Sequence, residues 1–260
     1  MEMTPSMPWA GLPVSFPDIL FLGVLALISL VAPLAGVIII ARRRGMKRSE
    51  ATQKLQRMLN ASTTIHALTT FAAACLLLIW WRGASWSQLG FVPVEARWYW
   101  QSLAILLMAY LLVFALVFVA FHVIIAAGKV PEKVLRVENK PDIYQPQSSL
   151  FGILSVGVLV PVAEEVVFRG VLYGWLRFDL AETPSVIISA VVFGLAHGIG
   201  LNGIVGLFMG AGLGILYESS GSILPGIVVH SVHNILSLVL LNYLQKQLHS
   251  QSQTAEPSPR

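Results

Sequence analysis

Apolar residues run along this chain in long, nearly unbroken stretches separated by shorter polar segments. A helix needs about 20 predominantly apolar residues to cross the hydrocarbon core of a bilayer. Five stretches come close to or exceed that length: Pro17–Ala41, Thr63–Trp81, Trp98–Ala127, Ser149–Trp175 and Ile223–Leu244. Two shorter ones, Ser185–Leu195 and Ile204–Tyr217, lie between the last two and make short spans inside a bundle. The pattern predicts an all-α fold, a polytopic transmembrane bundle of about seven helices. Residues 1–145 are expected to form helices 1–3 with basic loops, 146–246 a helical core, and 247–260 a disordered polar tail with Pro257 and Pro259.

Composition supports contact with lipid rather than a large aqueous core. The 260 residues are 56% hydrophobic and only 12% charged, where soluble domains carry about 25% charged residues. The first loop carries Arg42, Arg43, Arg44, Lys47, Arg48, Lys54 and Arg57, and the third Lys129, Lys133, Arg136 and Lys140. Loops two and four hold few basic residues (Arg82, Arg97, Arg177), and Lys246 follows the last helix. By the positive-inside rule the N-terminus lies outside and the C-terminus in the cytoplasm. Such scattered basic residues form no stripe for nucleic acid. Residues Met1–Phe16 contain Glu2 and no Lys or Arg, so the first apolar run is expected to be a retained helix rather than a cleaved signal. Trp80, Trp81, Trp86, Trp98 and Trp100 cluster about the second loop as an interfacial belt. The single cysteine, Cys75, can form no intrachain disulfide and reads as a packed side chain.

Against this background, ionisable groups inside spans stand out, each costing roughly 2.5–3.5 kcal/mol at a helix centre. The second run holds His66 and the third His122, whereas the fourth concentrates Glu164, Glu165 and Arg169 in one stretch after Pro161. Glu165 and Arg169 share a helix face and can pair. Glu164 projects about 100° away, free to face other partners. Pro161 removes a backbone donor and loosens the helix there. Downstream, His197 closes the short fifth run, and His230 and Asn234 lie one turn apart in the seventh, with His233 between them.

These groups suit amide hydrolysis. A carboxylate beside an imidazole can hold and deprotonate water, while an imidazole and an amide on one face can donate to an oxyanion. Glu164, His197 and His230 could instead form a His₂Glu zinc set, although His-Glu-x-x-His is absent. Ser155, Ser189, Ser231 and Ser237 lie within spans but in no Gly-x-Ser-x-Gly context. The glycines Gly206, Gly210 and Gly214 recur every four residues as a packing stripe. A proton-coupled transporter using Glu and His as a relay is a further reading.

Three short boxes carry a family resemblance: Glu164-Glu165-Val-Val-Phe-Arg169, Phe193-Gly-Leu-Ala-His197 and His230-Ser-Val-His-Asn234. In this order, on helices 4, 5 and 7, they resemble the CAAX protease and bacteriocin-processing (Abi) superfamily, related to type II CAAX prenyl endopeptidases. The resemblance covers residues 161–234 and implies an intramembrane endopeptidase of a prokaryotic cytoplasmic membrane. It acts on a peptide or membrane-anchored protein and has no nucleic-acid partner. Carried over, Glu164 with His197 activates the water, His230 and Asn234 form the oxyanion hole, and Arg169 braces Glu165. No cofactor is favoured, with zinc on Glu164, His197 and His230 as the alternative. A non-proteolytic scaffold or bacteriocin-immunity protein on the same helices is the competing function.

Overall fold

The computed structural model describes residues 7–46, 64–126 and 150–254. Most of the basic residues of the first and third loops, and residues 255–260 of the tail, lie outside the described residues. All seven expected helices are found: α1 (Phe16–Arg43), α2 (Thr64–Trp81), α3 (Ala96–Ala126), α4 (150–179), α5 (Glu182–Ala196), α6 (Leu201–Ser220) and α7 (Leu224–Thr254). Their starts and ends fall close to the apolar runs, with two informative differences. The sixth run extends to 20 residues, long enough to cross a bilayer, as are α2 and the Ala96–Ala120 part of α3. The seventh helix continues through Thr254, so residues 247–254 are helical where a disordered tail was expected. That extension contains no Gly or Pro to stop it and is rich in glutamine, a good helix former.

Bundle packing follows the distribution of small and large side chains. The glycine stripe of α6 lies against α5: a Cβ at Gly210 would stand 3.0 Å from the Ala190 Cα, and one at Gly206 3.3 Å from the Gly194 Cα. Small residues at such interfaces let backbones approach, so packing replaces the hydrophobic drive that lipid cannot supply. Met209, Leu213 and Leu216 of α6 pack with Leu106 and Ala109 of α3 and Val229 of α7. On the other side, Ala67 of α2 packs with Val160 and Ala163 of α4. The outward faces of α1 and α3 remain apolar, with Phe114 70% and Leu27 61% exposed. Continuous faces of this kind need lipid around them, and the chain is an integral membrane protein.

Loops and the N-terminal segment tie the helix ends together. Ser15 and Asp18 form a capping box at the start of α1, and Arg82, just after α2, pairs with Asp18 at 2.9 Å. Trp9 and Leu12, ahead of α1, are buried with Tyr173 of α4 and Tyr217 of α6. Beside them Tyr173 donates to Glu218 at 2.6 Å, and Arg177 grips the same carboxylate with two bonds of 3.0 and 2.9 Å. Arg177 is therefore paired with α6 rather than a free loop charge.

Candidate active site

The fourth helix departs from regular α geometry on both sides of the double glutamate. Residues Ser155–Leu159 and Val166–Tyr173 are wound as π-helix, flanking an α-helical Val160–Glu165. Pro161 explains part of this. The Val160 N–H bonds back to the Ser155 carbonyl, five residues earlier. The next donor in that register, for Val156, would be the missing N–H of Pro161. The Val156 carbonyl is thus stranded within its own helix. Asn234 of α7 fills the gap, its amide nitrogen donating to Val156 O at 2.9 Å. Gly157 permits the approach, since a Cβ there would lie 2.7 Å from Ile235 Cγ1.

One turn further along α4, Glu165 and Arg169 pair at 3.1 Å and are both 1% exposed at the side chain. The pairing is the one expected from their spacing. The structure adds its surroundings: Arg169 donates to the Gly210 carbonyl at 3.2 Å and lies over the Phe193 ring at 4.6 Å. Glu165 also receives His230 Nδ1 on the same oxygen, at 3.0 Å. Gly226 leaves room on the far side, where a Cβ would stand 3.1 Å from Glu165 Oε2. A buried ion pair is favourable only with such supplementary bonds.

Glu164 faces the two box histidines. Its Oε2 is buried and makes no hydrogen bond, with His230 Nε2 3.5 Å and His197 Nε2 3.8 Å away. The ring nitrogens can be assigned from their other partners. His197 Nδ1 sits 2.8 Å from the Phe193 carbonyl, which can only accept, so Nδ1 donates and Nε2 of the neutral ring keeps a lone pair. His230 Nδ1 donates to the Glu165 carboxylate. His197 is placed at the end of α5 because the chain turns at once, through Gly198 at φ 101°, into α6. Glu164 and His197 keep 18% and 32% of their side-chain surface accessible, whereas Glu165, Arg169 and His230 keep 4% or less. The first pair is thus the accessible part of the group, and the second is enclosed by the bundle.

The structure thus brings together Glu164, Glu165, Arg169, His197 and His230. His230 contacts both glutamates. The recorded bond of Asn234 goes to the α4 backbone. His233 turns to α3, where its Nδ1 meets the Tyr110 hydroxyl at 2.6 Å. Phe193, quoted above only as a box letter, is the common floor: its ring packs edge-on to Phe168, beneath Arg169, and 4.5 and 5.7 Å from the His197 and His230 rings. No group of three or more His, Cys, Asp or Glu among the described residues has metal-holding geometry. Among the membrane serines, Ser189 bonds across to the Phe168 carbonyl, an interhelical contact. A cavity of about 840 Å³ lies elsewhere, between the N-terminal turn and the loops at Gln88 and Ser220, and none of the Glu164 group lines it.

Residues 146–236 match the family model described as Type II CAAX prenyl endopeptidase Rce1-like, and the matched segment holds all three boxes. No curated protein and no solved structure matches the chain.

Proposed function

We propose that this chain hydrolyses peptide bonds of membrane-associated substrates with water activated at Glu164, a reading supported by the match of residues 146–236 to the Type II CAAX prenyl endopeptidase Rce1-like model. The observation that carries the reading is the unpartnered Glu164 Oε2 set between two imidazole nitrogens. A carboxylate oxygen held there without a bond of its own is poised to accept one from water.

In this mechanism a water rests against Glu164 Oε2 and the lone pair of His197 Nε2. Its oxygen attacks the scissile carbonyl carbon and its proton passes to Glu164. For this step His230 must carry a proton on both nitrogens, Nδ1–H on the Glu165 carboxylate and Nε2 toward Glu164. Its Nε2–H then donates to the oxyanion as the tetrahedral intermediate forms. Asn234 spends one amide hydrogen on Val156 and has the second to offer the same oxygen. Collapse breaks the C–N bond, and the proton on Glu164 moves to the departing amine. Arg169 holds Glu165 in line, and Glu165 orients His230.

The test is cleavage of quenched-fluorescent peptides, prenylated and unprenylated, by the purified protein, with metal content measured on the same samples. Cleavage lost in Glu164→Ala and in His197→Ala, without stoichiometric metal, supports the mechanism. Cleavage that rises and falls with bound zinc recasts Glu164, His197 and His230 as ligands. A well-folded wild type that cleaves none of the peptides counts against the reading.

A further inference from the structure

We propose that Gly206 of α6 is a positioning residue of the Glu164 site: its bare backbone seats the His197 imidazole, and a side chain at that position would displace the ring. The inference rests on the reading of Glu164 and His197 as the water-activating pair.

Three contacts define the seat. An added Cβ at Gly206 would stand 3.4 Å from both Cβ and Cγ of His197, and 3.3 Å from the Gly194 Cα. The Phe193 ring lies 4.5 Å from the imidazole, centroid to centroid, with the planes tilted by 41°. The Phe193 carbonyl takes the Nδ1 hydrogen at 2.8 Å. The backbone around His197 is held just as closely. Its N–H bonds to the Gly194 carbonyl at 3.0 Å, and a Cβ at Gly203 would overlap the carbonyl oxygen of Gly198. With Gly194 fixed in this way, a methyl group at Gly206 must push either the helix pair apart or the imidazole aside. The ring can yield, because 32% of the side chain is accessible. Any shift of Nε2 alters its 3.8 Å distance to Glu164 Oε2, the gap that the attacking water has to bridge. The plain alternative is a glycine stripe that serves helix packing alone. The other members of the stripe illustrate that role: the nearest neighbours of an added Cβ are Ala190 and Phe193 at Gly210, and Val186 at Gly214, with His197 at neither.

Gly206→Ala, Gly212→Ala and Gly214→Ala separate these roles. Gly212→Ala presses on the Ile105 side chain of α3 and Gly214→Ala meets Val186, both away from His197. The contacts at Gly206 are tight without overlapping, so Gly206→Ala is expected to fold. Assayed below the melting temperature of every variant, its kcat should be about tenfold or more lower with KM unchanged, because reacting groups tolerate little misplacement. Gly212→Ala and Gly214→Ala should keep the wild-type kcat. Wild-type kcat in Gly206→Ala, or an equal loss in all three variants, would overturn the proposal. A second readout does not depend on cleavage: melting temperatures of Gly206→Ala, His197→Ala and the double variant. The drop caused by Gly206→Ala should be roughly halved once the imidazole is gone, as expected for groups in contact. An equal drop in both backgrounds, or failure to fold in both, overturns the proposal. If the wild type cleaves no peptide, the protease reading fails while the melting cycle still decides whether Gly206 seats His197.

Discussion

Replacing Asn234 with leucine removes the donor that serves the stranded Val156 carbonyl while keeping the same branched skeleton of heavy atoms. The carbonyl lies where α7 touches α4 at Gly157, so water cannot readily replace the lost bond. Leaving such a group unsatisfied costs about 1–3 kcal/mol. Interhelical hydrogen bonds measured within membranes average nearer ~0.6 kcal/mol, because the alternative state usually finds another partner. Here Val160 already bonds to Ser155 and Pro161 has no hydrogen to give, so about 1–2 kcal/mol is expected. The same logic names a suppressor. Pro161→Ala supplies the missing N–H, and Asn234→Leu should then cost well under ~1 kcal/mol. Reversible unfolding in mixed micelles, applied to both single variants and the double, measures the two costs. An equal cost of Asn234→Leu in both backgrounds would refute the account of Val156 as stranded by Pro161.

The remaining predictions concern packing and buried charge. Arg169→Ala should destabilise the protein by about 3–5 kcal/mol, because it leaves Glu165 buried and uncompensated; thermal melts in detergent check this. Gly210→Ala should cost about 1–3 kcal/mol by pressing on the Ala190 backbone, whereas Gly214→Ala meets only ordinary contact, at 3.5 Å from Val186, and should be tolerated. Melting temperatures that fall equally for both would sink that distinction. Tyr173→Phe should lose about 1.5–3 kcal/mol, the worth of a bond to a charged acceptor, unless the Arg177 grip on Glu218 carries the whole load. Comparing it with Tyr173→Phe in an Arg177→Ala background separates those cases.

What could be read from the sequence depended on distance along the chain. Helix positions were legible because apolar runs report lipid-facing or buried helices directly. The Glu165–Arg169 pair was legible because one helical turn separates its members. The meeting of Glu164 with His197 and His230 was foreshadowed only by three polar groups lacking a local reason to be in a membrane. The division of partners was not legible: that His230 joins Glu165 depends on how α7 and α4 lie side by side. Asn234 was harder still, since its partner exists only because a π-turn shifts the hydrogen-bond register beside a proline. Likewise, the Tyr173, Arg177 and Glu218 cluster joins two helices whose facing residues share no pattern. The helical stretch 247–254 was missed because polarity was taken for disorder, although no residue there breaks a helix.

The N-terminal turn also constrains how the protein is made. Trp9 and Leu12 leave the ribosome well before their resting place exists, since it is built by Tyr173 and Tyr217, which follow more than 160 residues later. The Trp9 segment must therefore wait, undocked, while the intervening helices enter the bilayer. Completion of the bundle is consequently a late, long-range closure rather than a stepwise addition of finished hairpins. A bulky fusion placed just ahead of Trp9 would obstruct that last step, while leaving insertion of the individual helices undisturbed.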